Sequence, residues 1–109
     1  MARSVAIALL LASVTQVSAI QAGEASEIPD PEVLKRLVHQ DCGSCHGLTL
    51  KGGLGPDLRP QNLDHHDVDS LSGVILDGIP GTAMPPWRPL ISVETADWIA
   101  QYLLKPEAK

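Results

Sequence analysis

The sequence predicts an all-α domain of three main helices joined by long loops. Three observations carry that reading. Apolar residues recur at helical spacing in three segments. No segment shows convincing strand alternation. The connections between the segments are rich in glycine and proline, which break regular structure.

The 109 residues argue for one small domain. Residues 1–19 read as a cleaved secretory signal, with a second possible end at residue 22. Arg3 supplies the positive n-region, Val5 to Ala12 is an unbroken apolar run, and Val17-Ser18-Ala19 is a small-residue cleavage site. That run is too short to cross a bilayer, which takes about 20 residues. The early region has no cysteine for a lipid anchor and no twin arginine, since Arg3 is the only basic residue before Lys35. No stable membrane anchor is therefore expected after cleavage. Residues 20–29 read as a flexible lead-in and residues 30–109 as the folded domain.

The first helix is expected to start at Asp30-Pro31-Glu32. Asp30 can cap the exposed N–H groups, Pro31 suits the first helical position, and Glu32 favours the positive end. Val33, Leu34, Leu37 and Val38 recur at helical spacing, and Gly47 is the expected stop. Leu48 to Asp64 is a loop broken by Gly52, Gly53, Gly55, Pro56 and Pro60. Asp67 or Asp69 can cap a second helix that carries Leu71, Val74 and Ile75 and stops at Gly78. The next loop, residues 79–89, holds Pro80, Pro85, Pro86 and Pro89. Ser92 should cap a last helix to about Leu104, with Pro106 blocking its continuation. Val93, Ala96, Ile99, Ala100 and Leu103 share one face of it, beside an i, i+4 pair of Trp98 and Tyr102. Loops this long in a small domain need a task.

Cys42-Gly43-Ser44-Cys45-His46 supplies one. Two cysteines separated by two residues and followed by histidine form the attachment signature of a c-type haem. Each thiol can add to a haem vinyl group, and the adjacent imidazole serves as an axial iron ligand. Cys42 and Cys45 are the only cysteines. A structural disulfide between them would close a tiny loop and stabilise little. A redox dithiol wants a βαβ context that is absent, and a zinc site would lack its fourth ligand.

The core points the same way. Phenylalanine is absent, and Trp87, Trp98 and Tyr102 are the only aromatics. A domain this small has a marginal core by itself, and a buried haem would add apolar bulk. The haem-free chain is expected to be largely unfolded, which far-ultraviolet circular dichroism tests. The formal charge of −5 at pH 7, made more negative by loss of Arg3, argues against nucleic acid and for a partner with a basic docking patch.

Met84 is the only methionine besides the initiator. Flanking prolines restrict the loop that presents it, so its thioether is a candidate for the second axial position; filling a core gap is the other reading. A His/Met pair raises the reduction potential and suits electron transfer. His39, His65 and His66 are rival ligands. His39 is expected on the solvent side of the first helix. His65-His66 reads as a solvated loop and helix cap, with a weak metal site or a partner contact as functional alternatives. Trp87 is a candidate for the haem edge or a propionate contact, against ordinary loop packing. Arg59 is a candidate propionate partner, against a solvated cation.

Cys42 to Gly47, Gly55-Pro56-Asp57-Leu58, the Gly78 to Trp87 loop and Tyr102-Leu103 together resemble a class I monohaem cytochrome c, over nearly all of the mature chain. The resemblance implies the small cytochrome c fold, with three helices and long loops wrapped around one covalent haem c. It makes His46 the proximal ligand, Met84 the distal one, and the Pro56 carbonyl the acceptor for the second imidazole N–H. The small residue and the aromatic usual in the family's first helix are replaced here by Leu34 and Val38, so the crossing with the last helix should persist with altered detail.

The Gly81-Thr82-Ala83-Met84-Pro85-Pro86-Trp87 loop looks most like that of the periplasmic c55X cytochromes associated with cytochrome cd1 nitrite reductase. That likeness implies a periplasmic, non-enzymatic carrier of single electrons in denitrification, with cytochrome cd1 nitrite reductase as redox partner. The alternatives are an accessory role in d1 haem synthesis or reductase maturation, and a carrier for another periplasmic oxidoreductase. A haem enzyme or gas sensor would need an open sixth position, which Met84 argues against.

Overall fold

The computed structural model describes residues 28–105. The expected signal, most of the lead-in and Pro106 lie outside those residues. The described chain is helical, with no strand among its residues, in the order α1 (Pro31–Leu37), a π-helical segment (Val38–Cys42), α2 (Gly43–His46), a 3-10 turn (Pro60–Asn62), α3 (Val68–Asp77) and α4 (Val93–Leu104).

The starts follow side-chain caps. Asp30 Oδ1 accepts from the Glu32 N–H at 2.8 Å, with Pro31 in the first turn. Asp67, rather than Asp69, caps α3 by accepting from the Ser70 N–H at 2.7 Å. Ser92 Oγ accepts from the Thr95 N–H at 3.1 Å to open α4. Each bond satisfies an N–H that the first turn leaves orphaned. Gly47 and Gly78 end α2 and α3 with φ of 88° and 64°.

The first predicted helix is not one α-helix. It passes into five residues of π-helix before the cysteine motif. The wider turn rotates less per residue, so it changes which side chains face inward. That corrects the expectation for His39. Its imidazole bridges inward, with Nε2 2.9 Å from the Tyr102 hydroxyl on α4 and Nδ1 3.1 Å from the Leu48 carbonyl. Leu48 O can only accept, so Nδ1 carries the proton and Nε2 of the neutral ring accepts from Tyr102. These bonds tie the π-segment to α4 and to the chain just past the motif.

The core gathers Val38 of the π-segment, Leu50, Leu58 and Leu63 of the following loop, Leu71, Ile75 and Leu76 of α3, and Ala96, Ile99, Ala100, Tyr102 and Leu103 of α4. Helices α3 and α4 pack against each other. Leu34 and Val38 are both buried. Val33 and Val93 are exposed at 44% and 48%, although their spacing suggested a core face. Both sit in the first turn of a helix, at the edge of the packed layer. Trp98 and Tyr102 stack with centroids 5.3 Å apart and planes 11° from parallel.

Candidate haem-binding site

The site is built from α2 outward. Residues three apart on a helix are neighbours, so α2 places Cys45 beside Cys42, one turn earlier. Both are free thiols, partly buried. Burial pushes the Cys42 thiol up to about 11, and the Asp41 carboxylate adds to that shift.

His46 ends α2, and the loop that follows folds back under its ring. The turn is made by main-chain bonds. The Gly52 N–H donates to His46 O at 2.8 Å, the Gly55 N–H to Cys45 O at 2.7 Å, and the Leu58 N–H to Leu50 O at 2.9 Å. Leu50 anchors this loop with a fully buried side chain, held at φ 60°. A non-glycine residue pays for that left-handed backbone, and here the burial offsets it. Gly55 is required by contact: a Cβ there would lie 2.7 Å from His46 Cε1 and 2.8 Å from Nδ1. The imidazole therefore rests on bare backbone.

The next residue supplies the orientation. His46 Nδ1 lies 2.7 Å from the Pro56 carbonyl oxygen. A carbonyl can only accept, so Nδ1 donates and the lone pair of the neutral ring sits on Nε2. This is the tautomer that binds a metal through Nε2 with its other nitrogen held. Two free thiols one turn apart and an oriented imidazole directly after them form a donor set that suits a covalently attached haem.

The Met84 loop is built separately, on the C-terminal end of α3. The Trp87 N–H donates to Ile75 O at 3.1 Å and the Arg88 N–H to Leu76 O at 3.0 Å, satisfying carbonyls that the helix end leaves open. Inside the loop, the Thr82 hydroxyl donates to Ile79 O at 2.7 Å and accepts from the Met84 N–H at 3.3 Å. Gly78 brings the two ends together: a Cβ there would lie 2.6 Å from Met84 O and 2.8 Å from Pro85 C. Met84 itself is partly buried. Asp77 and Arg88 form a two-pronged ion pair outside the loop, at 2.8 and 2.9 Å.

Trp87 is partly buried and packs against the core. Arg59 turns its guanidinium onto Asp57, with Nη2 2.6 Å from Oδ2 and Nε 2.8 Å from the same oxygen. A haem propionate would have to share Arg59 with that carboxylate. His65 and His66 sit together, ring centroids 4.2 Å apart, with His66 Nδ1 2.7 Å from the Ser70 hydroxyl. Asp64 Oδ1 lies 3.7 Å from His65 Nδ1, and among the described residues no three His, Cys, Asp or Glu side chains gather to hold a metal ion.

Sequence reasoning missed the His39–Tyr102 bridge and the Asp77–Arg88 pair. The first joins residues 63 apart, with no local signal. The second could have been suspected, because opposite charges flank the glycine- and proline-bounded loop directly.

Comparison with known proteins gives the family and the fold. The family model described as "Cytochrome C oxidase, cbb3-type, subunit III" matches residues 29–103. Cytochrome c55X of Paracoccus denitrificans is 59% identical over 76 residues, covering 70% of this chain and 74% of that protein. The solved c-type cytochrome NirC superposes with a TM-score of 0.68 at 46% identity, covering 73% of this chain and 98% of that one. Dihydro-heme d1 dehydrogenase NirN, solved in complex with DHE, superposes with a TM-score of 0.64 at 32% identity, covering 69% of this chain but 16% of that one. The described residues contain no helix long and apolar enough to cross a membrane.

Proposed function

This chain belongs to the family of that cytochrome model and, within it, to the c55X group of c-type cytochromes; from that premise we propose that it carries single electrons in the periplasm, in denitrification, through one covalent haem c. The His46–Pro56 hydrogen bond beside two free thiols supports the haem site, and the c55X relatives support the pathway. Cys42 and Cys45 would hold the haem through thioethers, and His46 Nε2 and the Met84 thioether would be the protein ligands of its iron. The haem supplies the one-electron couple. The protein holds the imidazole in one tautomer and restrains the methionine loop on α3.

As in the sequence reading, cytochrome cd1 nitrite reductase is the proposed acceptor, and stopped-flow mixing of the reduced protein with that enzyme tests it. Rapid oxidation at low salt is expected, and its absence removes the donor role. The likeness to one segment of a dihydro-haem d1 dehydrogenase favours a second reading, in which this cytochrome accepts electrons during d1 haem synthesis. A deletion strain whose reductase lacks d1 haem would select it.

The ligand set is tested by spectra. The wild-type protein should show covalent haem, a low-spin spectrum and slow carbon monoxide binding at neutral pH. Met84→Ala should change the spectrum and open the iron to carbon monoxide. An unchanged low-spin spectrum in Met84→Ala excludes Met84 as ligand.

A further inference from the structure

We propose that the Asp57–Arg59 ion pair is a positioning device for the Pro56 carbonyl and, through it, for the His46 imidazole. The inference rests on His46 as the iron ligand proposed above.

The carbonyl that accepts from His46 belongs to the peptide joining Pro56 to Asp57. Its direction depends on how that peptide is held at both ends. Pro56 is stiff by its ring, with φ confined near −65°. Asp57 has no such restraint of its own, and it is held from outside. Its Oδ1 accepts from the Arg59 N–H at 2.8 Å and from Arg59 Nε at 3.1 Å. Its Oδ2 accepts from Nε at 2.8 Å and Nη2 at 2.6 Å. One carboxylate thus grips both the main chain and the guanidinium of the residue two positions on. The Leu58 N–H, between them, is bonded to Leu50 O at 2.9 Å. The peptide bearing the Pro56 carbonyl has little freedom to turn away from His46.

The pair sits at the surface with its Arg59 side chain 40% exposed, so its effect is directional rather than one of burial. The Asp57 side chain is only 21% exposed, and the carboxyl is held down to about 2, chiefly by the Arg59 side chain and then by the Arg59 N–H. A fork-to-carboxylate pair of this geometry fixes direction as well as distance.

The chemistry gives a signed consequence. A firm Nδ1–H···O bond raises imidazole basicity and favours ferric iron. Opening the clip should weaken that bond and raise the reduction potential. A mere through-space effect of charge behaves differently: losing the Asp57 anion raises the potential, while losing the Arg59 cation lowers it.

The test uses the intact holoprotein, with Asp57→Asn and Arg59→Gln. The midpoint potential is measured for each, and exchange of the His46 Nδ1 proton is followed by NMR in the ferrous state. Positioning predicts that both variants shift the potential upward and speed exchange about tenfold, the effect of losing a bond worth about 1.4 kcal/mol. Arg59→Lys keeps the charge and loses the fork, so it should also raise the potential and speed exchange; it decides the question if either other variant fails to fold. Potential shifts of opposite sign in Asp57→Asn and Arg59→Gln, or wild-type exchange in Arg59→Lys, would overturn the proposal. A wild-type chain without covalent haem absorbance would instead fail the ligand reading, before any variant is compared.

Discussion

Asp77 and Arg88 stand at the two ends of the loop that carries Met84 and close it from outside. Arg88 Nε and Nη2 reach the two carboxylate oxygens of Asp77 at 2.8 and 2.9 Å. Both side chains are more than half exposed, so the pair adds little to global stability; surface pairs contribute about 0–1 kcal/mol. Its effect should be local. Asp77→Asn or Arg88→Gln is expected to leave the melting temperature nearly unchanged and to speed displacement of Met84 by an added ligand about fivefold, as a loss near 1 kcal/mol implies. Stopped-flow cyanide or imidazole binding to the ferric protein measures this.

Two glycines should tolerate no side chain, for different reasons. Gly78 lies at φ 64° and ψ −169°, a region nearly reserved for glycine, with Met84 O 2.6 Å from where a Cβ would sit. Gly78→Ala should cost about 1–3 kcal/mol and disturb the methionine side of the site. Gly55→Ala would press on the His46 ring and should disturb the histidine side. Thermal melts should show both losses. Carbon monoxide binding should rise chiefly in Gly78→Ala, and covalent haem yield should fall chiefly in Gly55→Ala.

Tyr102→Phe removes the donor to His39 Nε2 and leaves that nitrogen, between packed elements, without its partner. The expected loss is about 1 kcal/mol in chemical denaturation of the holoprotein. His39→Phe in the same background should cost less than the sum of the single changes, because the two residues share one bond.

Acid should weaken the loop around His46 before it affects neutral elements. The Asp57 carboxyl is held at about 2, against an ordinary 3.8. A depressed carboxylate contributes stability that is complete above its unfolded value and is lost as pH falls through its folded value. Stability should therefore drop between about pH 4 and pH 2, and Asp57→Asn should flatten that part of the curve. Denaturation midpoints across this range test the sign.

Much of this architecture was legible because its signals are local. Asp30, Asp67 and Ser92 cap helices within three residues of themselves, and Gly47 and Gly78 stop them. Cys42, Cys45 and His46 lie within one helical turn and carry their chemistry in their spacing. The π-segment was not legible: Val38 to Cys42 reads like any helical stretch, and nothing in its composition announces a wider turn. His39 was misplaced because its partner Tyr102 lies 63 residues further along the chain, with no local signal to announce it. Arg59 was read toward solvent or a propionate. Its near neighbour Asp57 was available as a partner, but only the turned-back loop brings the two together.

The support beneath His46 has a kinetic meaning. The ring is set on the Gly55 backbone and fastened at Nδ1 by the Pro56 carbonyl, within a loop closed by main-chain hydrogen bonds. An iron held by such a ring would gain or lose an electron without the imidazole swinging to a new angle. Groups already in place cost no rearrangement at the moment of transfer. The reorganisation barrier would then fall chiefly on solvent and on the partner, and this fold would work as a stiff wire terminal.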